Sequence, residues 1–446
     1  MSDGGEEKQT LVGYGYPVGC PGRHVPLQIS DRERCRHTFV FGTTGVGKTR
    51  LSEQLIVQDL LKGYSVVYID PKGDQQIFST IYAAAQQAGR LDELMLVTPV
   101  FPQYSVKIDP LSTFFMPDEL VGHVIAGVSA GRDPFFRNIA KEITTAVITA
   151  ELLLTQEGKR NNPLNFDLVR RLIRRETMQE TVRDLRGLHT PEAQSVIGML
   201  DDILNAPQDY YGKISSSLRT ALMELSAGSM GAIIGQADSN RFISLLEQGK
   251  PVIVVVHTGA LITREASATL GKVLLSMIQS FVGRILLSDR GRVTPPLAIY
   301  LDEAQSVMYP GVDELFAKAG AADVMLTAFA QSVSQVYASA GELYGRCILD
   351  NTNTKLFMRC ADAETARYGV DHFGEQRVLQ GVFGNGQVTT RETRESVLQA
   401  TDLLGLPPRV FYLIGYQGRF VGKTIDAPPD AVRIRFPSVT EPMRGG

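Results

Sequence analysis

Residues Gly42, Thr43, Thr44, Gly45, Val46, Gly47, Lys48 and Thr49 fit the pattern G-x-x-x-x-G-K-[ST] at every fixed position. Glycines at 42, 45 and 47 let the backbone curl until successive N–H groups face inward, which makes a nest for phosphate oxygens. A helix starting at the end of such a loop adds the positive end of its dipole. The Lys48 ammonium would reach the β- and γ-phosphates, and the Thr49 hydroxyl would ligate Mg²⁺. The chemistry implied is binding of a nucleoside triphosphate.

A second set of residues suits hydrolysis. The apolar run 297–301 ends in Asp302 and Glu303. Asp302 would hold Mg²⁺ through water or a hydroxyl, and Glu303 is placed to polarise an attacking water. Residues 324–330 form another apolar run, ending in Gln331, an amide that could sense the γ-phosphate or simply finish a strand. A charged turn, Asp70-Pro71-Lys72-Gly73-Asp74, follows the run 64–69. Open α/β sheets place ligand groups at such strand ends, and a purely structural turn is the equal alternative.

The surrounding pattern supplies the elements. Residues 38–41 read as a buried strand, and from Thr49 the residues Leu51, Leu55, Ile56 and Leu60 recur at helical spacing until Gly63. Further strands are expected at 26–29, 64–69, 94–97, 251–256, 324–330, 355–358 and 410–414. Helices are expected at 76–87, 264–287 and 363–373, and Gly384-Asn385-Gly386 signals a tight hairpin. Between 117 and 238 strand runs vanish. Asp133-Pro134 opens one long helix there and Thr190-Pro191-Glu192 another. The fold class expected is α/β, with a mostly parallel sheet covered on both faces and an inserted all-α block. The divisions are a lead-in at 1–35, nucleotide-binding parts at 36–116 and 239–427, the all-α domain at 117–238, and a tail at 428–446.

Within the insertion, 166–175 reads as one helix. Leu168, Val169, Leu172 and Ile173 make its apolar stripe, and Arg170, Arg171, Arg174 and Arg175 share the other side. Such a face suits DNA phosphates or an acidic cargo protein, or is a solvated surface.

Composition narrows the class. The chain has 446 residues, 43% of them hydrophobic, enough for a large core. A net charge of -3 excludes a wholly basic nucleic-acid-binding surface, so DNA contact needs a local patch or channel. Cys20, Cys35, Cys347 and Cys360 are too dispersed for a zinc site or a disulfide framework. The apolar stretches 139–154 and 273–287 carry charges and read as amphipathic rather than membrane-spanning, and residues 1–10 do not read as a leader peptide. A cytoplasmic chain is the expectation.

Several phrases together resemble the type IV coupling proteins of conjugation systems, the TraD/TraG-like ATPases. They are HTFVFGTTGVGKTRL, VVYIDPKGD, IDPLSTF at 108–114, DPFFRNIA at 133–140, IYLDEAQSV, AFAQSVSQV and DLLGLPPRVFYLIGYQGRF, covering roughly 36–422. The resemblance implies a RecA-like motor that uses ATP and Mg²⁺ and assembles as a ring of six. It would recruit a DNA–relaxase complex and drive DNA toward a type IV secretion channel at the bacterial inner membrane. Arg36 matches a basic residue upstream of the first strand and is a candidate nucleotide contact, and Gln331 matches the family's glutamine motif.

Two departures stand out. Family members usually begin with transmembrane helices. Many also carry Gly-Arg-Lys before the glutamine strand, whose arginine serves the neighbouring subunit; here Lys318-Ala319-Gly320-Ala321-Ala322 stands in that place. The cation acting in trans is then Lys318, Arg346 or Arg359. The alternatives are an FtsK/HerA-like DNA translocase, a secretion-channel ATPase that powers export or pilus assembly, and a nucleotide-gated binding module without turnover.

Overall fold

The computed structural model describes residues 7–22, 24–128, 134–235, 237, 240–260, 264–384, 387–427 and 432–437. Its strands in chain order are β1 (Gln9–Pro17), β2 (Val25–Ser30), β3 (Thr38–Phe41), β4 (Ser65–Asp70), β5 (Leu94–Val97), β6 (Ile253–His257), β7 (Leu297–Leu301), β8 (Val324–Ala330), β9 (Thr354–Phe357), β10 (Glu375–Gly384), β11 (Gln387–Ser396), β12 (Val410–Gly415) and β13 (Gly418–Lys423). Eleven of them make one sheet in the order β2-β1-β13-β12-β9-β3-β8-β7-β4-β6-β5. The stretch from β9 to β5 is parallel throughout, while β12, β13, β1 and β2 join antiparallel at one edge.

Period-two alternation splits the central strands between two cores. Val40, Val66 and Tyr68 face the helices Lys48–Leu61 and Gln75–Gln87, packing with Leu51, Leu55, Ile56, Ile77 and Ile81. Phe39, Phe41, Val67 and Ile69 face the opposite way, into the core holding helix Arg264–Leu287 and the inserted helices. That second core runs without a break from the sheet into the insertion. Helix Arg264–Leu287 is long and apolar enough by composition to cross a membrane, yet 61% of its most apolar window is buried, and Pro117–Gly127 packs along it.

Several expectations change in detail. The first 35 residues are not only a lead-in, because β1 and β2 are strands of the main sheet. Helix Pro134–Gln156 forms where a long helix is expected, although Asp133 lies outside the described residues. β10 and β11 form a separate two-stranded ribbon, and its turn residues Asn385 and Gly386 also lie outside the described residues.

The expected 166–175 helix is broken. Asn165 caps a helix that ends at Leu172, and Arg174 is the N-cap of a second helix, Arg175–Arg186. The four arginines therefore share no face. Arg170 and Arg171 pair with Asp167 at 2.5 and 3.3 Å, and Arg175 donates to the Leu204 carbonyl at 2.6 Å. Apolar residues at 168, 169, 172 and 173 fit a bent pair of helices as well as one straight helix.

Candidate nucleotide site

Four neighbouring strands, β3-β8-β7-β4, bring the predicted site residues to one edge of the sheet. Their C-terminal ends carry the 42–49 loop, Gln331, the Asp302–Glu303 pair and the 70–74 turn respectively.

The loop is anchored on both sides. Gly42 N–H donates to Ala330 at the end of β8 (3.1 Å), and Thr43 N–H donates to Arg359 just past β9 (2.9 Å). Gly45 and Gly47 have φ of 76° and 108°, left-handed backbone that side chains resist, and Gly47 caps helix Lys48–Leu61. A Cβ on Gly42 would lie 2.9 Å from Met358 Cβ and from Val46 Cγ2. Lys48 curls back onto its own loop, with Nζ donating to the carbonyls of Gly42 (2.6 Å) and Thr43 (2.9 Å). Burial pulls the Lys48 ammonium below its ordinary pKa, opposed by the nearby Asp302 and reinforced by Lys72. A polyanion in the loop would reverse that penalty.

Asp302 is only 8% exposed and stands level with the end of β4, its N–H donating to Ile69 O at 3.0 Å. Its carboxyl is pushed up to about 6, first by burial and then by Asp70, with Lys72 opposing. A buried carboxylate beside a second carboxylate, Asp70, suits a cation. Among the described residues, no cluster of three or more His, Cys, Asp or Glu side chains could hold a metal by itself. Mg²⁺ in nucleotide sites binds through one or two protein oxygens together with substrate phosphates. Asp302 and the hydroxyl of Thr49 are the residues that would hold it.

Glu303 adopts φ 42°, a left-handed conformation held by its N–H donating to Asp302 Oδ1 at 3.0 Å. One oxygen, Oε1, takes both neighbours: Lys72 Nζ at 2.8 Å and Gln331 Nε2 at 3.4 Å. Lys72 is 47% exposed and Glu303 22%, so the pair contributes only about 0–1 kcal/mol. The turn bearing Lys72 is fastened by backbone hydrogen bonds. Asp70 accepts the N–H groups of Lys72 (2.8 Å) and Asp74 (2.7 Å), with Gly73 at φ 75°. Its charge points to a function, but which partner Lys72 meets is set by β4 and β7 being neighbours, and no local pattern carries that.

The remaining expectations separate. Arg36 precedes β3 whereas the loop follows it, so a strand of four residues, roughly 13 Å, keeps it from its own chain's phosphate site. Its guanidinium stacks on Tyr416 at 4.5 Å. Arg359 lies beside its own loop, with Nε donating to Leu404 O at 3.1 Å, which is a position in cis rather than in trans. Lys318 and Arg346 are exposed and paired with Glu314 and Glu342 one helical turn away. Arg409 is a neighbour that sequence reasoning missed. Its N–H donates to Val46 O at 2.7 Å, and its side chain reaches Thr424 and Asp426.

Residues 296–408 match the family described as the TraM recognition site of TraD and TraG. The chain is 34% identical over 71 residues to the type 4 coupling protein DotL of Legionella pneumophila, a match spanning 16% of this chain and 9% of that relative's length. The bacterial conjugative coupling protein TrwBdeltaN70 superposes with a TM-score of 0.69 at 16% identity, over 97% of this chain and 92% of that one. The plasmid coupling protein TrwB in complex with ADP and Mg²⁺ gives 0.65 at 17%, over 97% and 98%. VirB4 of Thermoanaerobacter pseudethanolicus gives 0.54 at 14%, over 96% and 98%. The structural likenesses establish the fold, and the family match is confined to residues 296–408.

Proposed function

We propose that the chain is an ATP-hydrolysing motor that couples a DNA–relaxase substrate to a type IV secretion channel. One observation carries this reading: the Asp302–Glu303 pair, with Lys72 and Gln331 on its second carboxylate, stands at the same sheet edge as the 42–49 loop, with β8 between β7 and the strand that enters the loop. Binding alone would need only the loop. The TrwB complex with ADP and Mg²⁺ supports ATP and Mg²⁺ as ligands.

In this account the N–H groups of the loop and Lys48 hold the phosphates. Mg²⁺, when bound, neutralises developing charge on the β- and γ-phosphates. Glu303 orients the attacking water and takes its proton, and Gln331 contacts the γ-phosphate. Charge on the leaving oxygens calls for one more cation, worth ~10³–10⁵ in rate where such residues have been measured. Lys318 or Arg346 from a neighbouring copy in a ring of six fills that role. Arg36 lines an open groove of about 1130 Å³ with Arg32 and Arg292 at the opposite strand ends, where only a neighbour's nucleotide could meet it. The 117–238 block engages DNA or its protein cargo, and the motor works at the inner membrane.

The test is ATP turnover during a DNA titration at several salt concentrations. Turnover that rises with DNA, with a midpoint that weakens steeply with salt, supports the reading. Turnover that stays flat across the titration overturns it in favour of an export ATPase.

A further inference from the structure

Both cations at this site are engaged by the protein itself. Lys48 donates to its own loop carbonyls, and Lys72 to Glu303 Oε1 at 2.8 Å. Glu303 is gripped from the two strands that flank β7. Lys72 comes from the turn after β4, and Gln331 from the end of β8, reaching the same oxygen at 3.4 Å. The backbone of Lys72 is fixed through Asp70, whereas its side chain is half exposed and free to swing on four methylenes. A carboxylate oxygen that already accepts from an ammonium and an amide is a poor acceptor for a water proton.

We propose that Lys72 is a positioning residue that occupies Glu303 until a γ-phosphate draws the ammonium away, so that the carboxylate is freed for water only when a triphosphate is in place. This rests on the hydrolytic reading above and adds the order of events at the site. The γ-phosphate brings additional negative charge within reach of a weakly held, partly exposed ammonium. A diphosphate lacks that charge and leaves the latch closed. Covalent bookkeeping is unchanged: water adds to the γ-phosphorus, the bond to the β-bridging oxygen breaks, and the proton passes to Glu303. Lys72 alters only when Glu303 can take it.

The experiment uses the full chain and the variants Lys72→Ala, Lys72→Arg, Glu303→Gln and the double variant Lys72→Ala/Glu303→Gln. Steady-state turnover of ATP and equilibrium binding of ADP and of a non-hydrolysable ATP analogue are measured for each. The expected pattern in Lys72→Ala is a KM for ATP raised about tenfold, with kcat at saturating ATP and ADP affinity each within about twofold of the parent, because the alanine leaves Glu303 free but removes the ammonium that the γ-phosphate draws. Affinity for the ATP analogue falls by about tenfold, Lys72→Arg recovers most of that affinity, and Lys72→Ala leaves the low turnover of Glu303→Gln unchanged.

A fall of about tenfold or more in kcat at saturating ATP in Lys72→Ala overturns the proposal, because it puts the ammonium in the chemical step, and so does an ATP-analogue affinity equal to the parent's. So does equal loss of ADP and analogue affinity together with a lowered melting temperature, which marks a structural lysine, and so do losses that multiply with Glu303→Gln. Full turnover in Glu303→Gln alone would instead overturn the hydrolytic reading on which the proposal stands.

Discussion

Arg409 N–H donates to the carbonyl of Val46 at 2.7 Å, tying the phosphate loop to the segment that enters β12, more than three hundred residues downstream. Arg409 holds φ 73° to make this contact, and its side chain is fastened by Thr424 and Asp426. The antiparallel edge of the sheet thus braces the loop from outside.

That relationship makes Gly47 doubly intolerant of a side chain. Its φ is 108°, and an added Cβ would meet Arg409 Cγ at 3.1 Å. Gly47→Ala is expected to weaken binding of a fluorescent nucleotide by at least about tenfold. Gly63→Ala, also at positive φ (82°) but with open space around it, should cost roughly 1–2 kcal/mol of stability and leave binding unchanged.

A buried ion pair supports the same region. Arg34 forks onto Asp59 at 2.6 and 2.7 Å, and Tyr300 OH donates to Asp59 at 2.5 Å, joining the segment before β3, the phosphate-loop helix and β7. Removing one partner strands the other charge in the core. Arg34→Ala should lose about 3–5 kcal/mol by urea unfolding, whereas Arg36→Ala, on the exposed neighbour, should change stability by less than about 1 kcal/mol.

His37 predicts a pH dependence. Its Nδ1 accepts Leu326 N–H at 3.2 Å and the ring also bonds the Phe316 backbone, an arrangement only the neutral imidazole satisfies. Burial pulls its pKa down to about 4. Between that value and the ordinary 6.5 the unfolded chain binds more protons than the folded one. The stabilisation is therefore complete above about 6.5 and is lost as pH falls toward 4, by up to about 3 kcal/mol. Unfolding midpoints should drop over that window, and NMR should show the His37 ring still neutral at pH 5 in the folded protein.

The broken helix at 173–174 separates arginines that the sequence groups together. Arg175→Ala should cost about 1 kcal/mol, because its bond caps the carbonyl of Leu204. Arg171 and Arg174 are exposed, and their alanine variants should fold as the parent does. If this surface grips DNA, the pair together should lower the salt slope of DNA binding by about 2.

Much of the site was legible because its chemistry is local. The 42–49 loop reads from its own glycines, and the acids at 302 and 303 read from the apolar run before them. The parallel centre of the sheet follows from alternating strand and helix patterns. What escaped depends on chain crossings. The strand Gln9–Pro17 mixes Gly13 and Gly15 with apolar residues, because the backbone of β13 approaches so closely that a Cβ would sit about 2 Å from its carbonyls. Lys72 meets Glu303 only because β4 lies beside β7, and Arg409 meets Val46 only because the chain returns along the far edge of β9. Arg36 shows the converse: nearness in sequence to a loop says nothing of which end of the strand a residue occupies.

The most direct test of the account is steady-state ATP turnover of Glu303→Gln set beside its equilibrium binding of ATP and Mg²⁺. The account predicts turnover lowered by at least about a hundredfold with nucleotide affinity within a few-fold of the parent. Turnover equal to the parent's in that variant would contradict it.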